Sequence, residues 1–163
     1  MLCGLPASGK STWAKEYANE SRRVVHISRD AVRFSMVNNS EPYFKAEKRV
    51  FSQFIKNIQQ AIDNKDIDFI FVDATHLNSI SRHKVLDRLD LKDINVIAVA
   101  FYTPLNICLE RNSQRKGRER VPDYIIQDMN DRKDFDFSKD NFPYIMTLEL
   151  YKQKPNFENY TGQ

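Results

Sequence analysis

The chain has 163 residues, 41% hydrophobic and 29% charged, which suits one soluble domain large enough to bury its own core. A net charge of +3 is too small to announce a general polyanion surface, and no apolar run approaches the roughly 20 residues of a membrane span. No leader segment is expected ahead of the first motif. Cys3 and Cys108 stand far apart without metal-ligand spacing, so both are expected as buried thiols in a reducing, cytoplasmic setting.

In chain order, Met1, Leu2 and Cys3 form a strand shorter than the usual about five or six residues. Next comes Gly4-Leu5-Pro6-Ala7-Ser8-Gly9-Lys10-Ser11-Thr12, followed by helix-compatible residues from Trp13 to Asn19. Residues 23–27 read as a strand and 29–37 as a helix. Residues 47–63 carry Phe51, Phe54, Ile55, Ile58 and Ile62 at the spacing of one helical face. Residues 68–72 are a compact apolar strand ending at Asp73, and Asn78 or Ser79 caps a helix to about residue 90. Residues 94–102 are the clearest strand, and Pro104 starts the helix that carries residues 107–111. Pro122 starts another helix, through about residue 133, and residues 144–151 return as a last strand. The polar tail from residue 152 is expected to be loosely ordered. Strands alternating with helices predict an α/β fold: a doubly wound, mostly parallel sheet of about five strands flanked by helices, one domain over residues 1–163.

The first motif satisfies G-x-x-x-x-G-K-[ST], the P-loop pattern. Its glycines let successive N–H groups turn inward toward a polyphosphate, at the start of a helix whose dipole also favours anions. Gly4, Pro6, Ala7, Ser8, Gly9, Lys10, Ser11 and Thr12 are therefore candidate nucleotide-binding residues. Lys10 can reach the terminal phosphates and the Ser11 hydroxyl can serve Mg²⁺.

Three further constellations bear on what is done with the nucleotide. In Ser28-Arg29-Asp30-Ala31-Val32-Arg33, Asp30 lies near the carboxyl edge of the sheet, where a carboxylate can take the proton from an attacking hydroxyl. Arg33, three residues on, can hold an acceptor's phosphate. An aspartate at a helix start also serves the helix dipole, and both readings stand. Asp73-Ala74-Thr75-His76-Leu77-Asn78 closes the third strand. Asp73 lies where an acid orients Mg²⁺ through water, or where it simply caps a turn, while His76 is a turn residue without an assigned role. Residues 111–122 hold Arg111, Arg115, Lys116, Arg118 and Arg120 against Glu119 alone, so the rest of the molecule is close to neutral. A basic, Gly-containing hinge between two helices suits a lid closing over ATP; a solvated basic turn has the same composition.

GLPASGKSTWA, SRDAVR, DATHLN and RNSQR…VP, in this order, resemble the P-loop kinase domain of polynucleotide 5′-hydroxyl kinases, an AAA-type ATP-binding kinase domain, over about residues 1–134. The resemblance implies a P-loop NTPase fold with an arginine-rich lid, and Mg²⁺-dependent transfer of the ATP γ-phosphate to a 5′-OH end of DNA or RNA. It implies that Lys10 and Ser11 contact phosphate and Mg²⁺, and that Asp30 is the general base. Arg33 matches the contact to the acceptor's 3′-phosphate, Asp73 and Thr75 an acceptor-side pair, and Arg115 the lid arginine, with Arg111 one turn before it. The first strand is shorter, and the lid between Arg115 and Val121 longer, than in that family's pattern. Families with similar P-loops phosphorylate aminoacyl-tRNA, sugars or nucleotide sugars, so the acceptor stays open. Phe34, Tyr43 and Phe44 are the best candidates for stacking a base. A nucleotide-binding switch without transfer activity is the reading from another class, and it needs no base for a hydroxyl.

Overall fold

The computed structural model describes residues 1–20, 23–38, 41 and 43–149. The chain runs β1 (Leu2–Cys3), α1 (Lys10–Glu20), β2 (Val24–Ser28), α2 (Arg29–Met36), α3 (Tyr43–Asp63), β3 (Phe69–Asp73), α4 (Ser79–Leu86), β4 (Ile97–Phe101), α5 (Leu105–Ser113), α6 (Asp123–Asp131) and β5 (Tyr144–Leu148). The strands form one parallel sheet in the order β2-β3-β1-β4-β5, the doubly wound arrangement that the alternation of elements predicts. From β1 the chain passes outward to β2, returns to β3, then crosses to β4 and β5 on the other side. Sheets of this kind receive ligands in the crevice at that reversal.

β1 is short and central at once. Leu2 is in register with Asp73 on one side and Val99 on the other, and Cys3 with Ala100. Met1 extends the ladder: its carbonyl accepts from the Val99 N–H at 2.8 Å, and its ammonium donates to the Ile97 carbonyl at 2.7 Å. Successive strand side chains go to opposite faces. On one face Leu2, Val99, Phe101, Met146 and Leu148 pack with Trp13 and Ala14 of α1. On the other, Cys3, Ile27, Val72, Ala98 and Ala100 meet Ala46, Val50, Phe54 and Ile58 of α3. That stripe begins at Ala46, and α3 starts at Tyr43, a turn before the expected residue 47.

Boundaries move where local turns intervene. β4 starts at Ile97 rather than 94, because Asp93 adopts a left-handed backbone (φ 61°) and the Ile94 N–H closes onto the Leu91 carbonyl. α4 ends at Leu86 rather than near 90: Arg88 and Leu89 donate three residues back, to Val85 and Leu86, and tighten the chain out of the helix. Residues 150 and 151 of the expected last strand, the tail from 152, and the side chains of Tyr43 and Phe44 lie outside the described residues. Cys3 and Cys108 are free and buried, and burial pushes the Cys3 thiol up to about 11, so it packs as an inert group. Among the described residues no helix is long and apolar enough to cross a membrane.

Candidate active site at the carboxyl edge of the sheet

Residues 4–9 leave β1 and turn into α1, with the Gly4 N–H donating to the Thr75 carbonyl at 2.9 Å and the Trp13 N–H to the Gly9 carbonyl at 3.0 Å. Ala7 (φ 61°) and Gly9 (φ 101°) both take left-handed backbone, the alternation that aims successive N–H groups into one concavity. Gly4 is needed for closeness instead: a Cβ there would stand 2.9 Å from Ser8 Oγ and 3.0 Å from Phe101 Cβ. The Lys10 ammonium is folded back into the loop, donating to the Gly4 and Leu5 carbonyls at 2.9 and 2.8 Å and to Ser8 Oγ at 3.3 Å. Burial pulls its pKa below the ordinary lysine value, against the attraction of the Asp73 and Asp30 carboxylates. Polyphosphate oxygens are stronger acceptors than these carbonyls, so the ammonium can exchange partners with a gain. Pro6 is half-buried and Thr12 exposed on the first turn of α1.

Asp73 ends β3 beside the loop and is buried. Its Oδ2 accepts from Ser11 Oγ at 2.6 Å and from His26 Nε2 at 2.9 Å. Burial alone would raise its pKa, but the His26 hydrogen bond, the Lys10 charge and the Ser11 hydrogen bond together hold it below the usual carboxylate range. A serine hydroxyl on an ionised carboxylate is a hard oxygen pair that fits Mg²⁺. That cation keeps several waters and takes few protein ligands besides phosphate. Among the described residues no three His, Cys, Asp or Glu side chains cluster as a metal site of their own. His26 was not singled out from the sequence, where it is one residue of a short apolar strand. Thr75 is half-buried, its carbonyl committed to Gly4.

His76 is a turn residue, with φ 44° and a buried ring. A carbonyl only accepts, so the 2.8 Å contact means that Nδ1 donates to Leu2. Burial drives its pKa from 6.5 down to about 3, so the unfolded chain takes up a proton that the folded chain refuses. Stability therefore falls as pH drops from 6.5 toward 3. His76→Asn tolerates the left-handed backbone and keeps a donor for Leu2, and should flatten that loss in urea titrations across this range. An unchanged acid dependence would clear His76 as its cause.

At the start of α2, Ser28 caps the helix by accepting the Ala31 N–H, so Asp30 is free of that duty and stays exposed. Arg33 is buried, and its Nη2 donates to Glu47 Oε2 of α3 at 2.6 Å, while Arg29 pairs with the other Glu47 oxygen. Glu47 thus holds Arg33 in a fixed position. Arg33→Ala should raise the acceptor KM roughly 10–100-fold, the worth of a charged hydrogen bond, and spare ATP binding. Weakened ATP binding would assign Arg33 to the nucleotide side.

Arg111 of α5 reaches back to the loop, Nη1 standing 3.5 Å from the Ser8 carbonyl, which also accepts from Thr103 Oγ1 at 2.7 Å. Arg115 is half-buried and its Nη1 lies 3.4 Å from the Glu119 carbonyl. Between them, fully buried Asn112 pins the two ends of the basic loop together. Its Nδ2 donates to the Val121 carbonyl at 2.6 Å and to Asp123 at 3.0 Å, and its Oδ1 accepts the Val121 N–H at 3.1 Å. Beyond this neck the chain makes one 3-10 turn, Gly117–Glu119, and Arg118 lies over the Phe34 ring of α2 at 4.9 Å, so the loop reaches across to α2. Arg115→Ala should cut the transfer rate roughly 10²-fold with little change in ATP affinity, as loss of a transition-state contact does. Equal losses in both would make it a ground-state contact.

A loop shaped for polyphosphate, facing an exposed carboxylate and a held arginine along one sheet edge, marks a P-loop protein of the kinase type. Residues 1–135 match the family described as "AAA domain", and the chain belongs to it. The L-seryl-tRNA(Sec) kinase of Methanococcus maripaludis is 26% identical over 136 residues, which are 82% of this chain and 51% of that one; the chain thus spans about half the length of this curated relative. A fungal RNA kinase shares the fold with a TM-score of 0.67 at 16% identity, over 94% of this chain and 74% of that one. A sugar kinase from Janibacter sp. HTCC2649 does so with a TM-score of 0.63 at 17% identity, over 94% and 85%.

Proposed function

We propose that this protein is an ATP-dependent kinase transferring the γ-phosphate to a hydroxyl acceptor, the 5′-OH end of an RNA or DNA strand. The observation that carries this reading is Asp30: exposed, released from capping by Ser28, and near enough to Lys10 for its charge to favour the ammonium. A nucleotide switch needs no base for an acceptor hydroxyl. In the proposed reaction residues 4–12 hold the ATP phosphates. Ser11, and Asp73 through water, would hold Mg²⁺, which supplies charge neutralisation on the phosphates. Asp30 takes the acceptor proton while the acceptor oxygen bonds to the γ-phosphorus and ADP leaves. Arg33 holds a phosphate next to the acceptor hydroxyl, Asp73 and Thr75 line the acceptor side, and Arg111 and Arg115 meet the charge on the transferred group.

The fold shared with a fungal RNA kinase supports a polynucleotide acceptor. The relative acting on L-seryl-tRNA(Sec) favours a second reading, in which the hydroxyl is carried on tRNA. Labelled γ-phosphate transfer to 5′-OH DNA, 5′-OH RNA, tRNA, nucleosides and sugars separates the two. Labelling of 5′-OH oligonucleotides is the expected result; labelling of tRNA alone promotes the second reading. Labelling of none, with ATP bound, leaves a switch.

A further inference from the structure

We infer that His26 is a positioning residue for the Ser11–Asp73 pair, fixing the carboxylate and, through it, the serine hydroxyl on which nucleotide and metal binding depend. The inference rests on the nucleotide and metal half of the proposed function and needs no acceptor.

Strand alternation sends Val25 and Ile27 of β2 into the core beneath α3, so His26 faces the other way. In the β2–β3 register His26 pairs with Phe71 and Ser28 with Asp73. Phe71 packs against Trp13 and Tyr17 of α1, ring centroids 5.1 and 6.5 Å away, so this is the face that α1 covers. His26 therefore lies under the helix that begins with Lys10 and Ser11, one diagonal step from Asp73. The side chains of His26 and Asp73 are only 9% and 4% exposed. A polar ring buried there costs free energy unless it is hydrogen-bonded, and a branched aliphatic would suit the strand better. The bond to Asp73 is what repays its presence.

That bond has a directional effect. Oδ2 receives Ser11 and His26 together, at 2.6 and 2.9 Å, and two donors on one oxygen stop the carboxylate from rotating. The serine proton is thereby committed to Asp73, which leaves the hydroxyl lone pairs for a cation. Without His26 the carboxylate keeps Ser11 but loses its anchor to the sheet, so both groups can turn. Outer partners of this kind orient metal-binding groups elsewhere in proteins.

The test is binding, with no turnover. Mn²⁺ is titrated into the full chain with saturating ADP and followed by electron paramagnetic resonance; ADP binding without metal is measured by calorimetry. Wild type is compared with His26→Leu, with His26→Asn, too short to reach Asp73, and with His26→Gln, whose amide N–H can replace Nε2. The Leu and Asn variants should lose about tenfold or more in Mn²⁺ affinity while ADP affinity without metal stays within about twofold, and Gln should regain most of the loss. Undiminished Mn²⁺ affinity in a folded Leu or Asn variant overturns the inference. So does an equal loss of metal-free ADP binding, or a Gln variant no better than Leu, because each describes a residue that only packs. A wild-type chain that binds neither ADP nor Mn²⁺ removes the proposed function itself.

Discussion

Asp30→Asn should lower the phosphoryl-transfer rate by roughly 10²–10⁴-fold and leave ATP affinity nearly unchanged. The amide keeps the shape of the side chain and removes its capacity to take a proton. Little else should change, because Ser28 rather than Asp30 caps α2. Loss of the charge costs the helix only about 0.3–1 kcal/mol of dipole interaction. Lys10 loses one favourable charge but keeps Asp73 and its three oxygen partners in the loop, so the nucleotide side stays formed. Single-turnover transfer and equilibrium ATP binding, measured on the same preparation, check both halves. Transfer at the wild-type rate would end the general-base role. A fall in ATP affinity matching the fall in rate would instead place Asp30 among the nucleotide contacts.

The contrast between Asp30 and its partners shows what the sequence holds and what it hides. The phosphate loop was readable because its chemistry is contiguous: residues 4–12 make the turn, the donors and the helix start within nine positions. The parallel, doubly wound sheet was readable from strands alternating with helices, and so was the shortness of its first strand; the order of the strands was not. Glu47 was not readable, because it lies 14 residues from Arg33 on another helix and only the packing of α2 on α3 brings them together. His26 was hidden for a related reason. In isolation it interrupts an apolar strand, and its role is set by the register with β3 and by the helix above. Asn112 sits inside a basic run that reads as charge, yet it is the neutral residue that shapes the loop. The arginines could be seen in the sequence; their anchoring depends on tertiary structure.

The largest structural effect expected falls on a pair that sequence patterning conceals entirely. Arg82 of α4, within the run SRHKV, looks like one more solvent-facing cation, yet neither it nor Asp140 exposes any side-chain surface. Its Nε and Nη2 donate to Asp140 Oδ2 at 2.9 and 2.6 Å, Nη1 reaches the carbonyls of His76 and Asp134, and Nη2 also that of Asp136. Its guanidinium lies 4.5 Å from the centre of the Phe137 ring, and Ser79 Oγ donates to the other Asp140 oxygen at 2.9 Å. One residue thus binds α4, the turn after Asp73 and the segment leading to β5. Asp140→Ala strands the guanidinium in the interior, and removing one partner of a buried pair costs about 3–5 kcal/mol. Replacing both members with apolar residues should recover part of that loss but not all, since the carbonyls of Asp134 and Asp136 would still lack their donor. Urea unfolding of Asp140→Ala and of an Arg82→Met, Asp140→Leu double variant measures both quantities. A loss below about 1 kcal/mol for Asp140→Ala would mean that water or a neighbouring acceptor replaces the carboxylate. The pair would then be a convenience of packing, and the turn carrying Asp73 and Thr75 would be held by its bonds to Gly4 and Leu2.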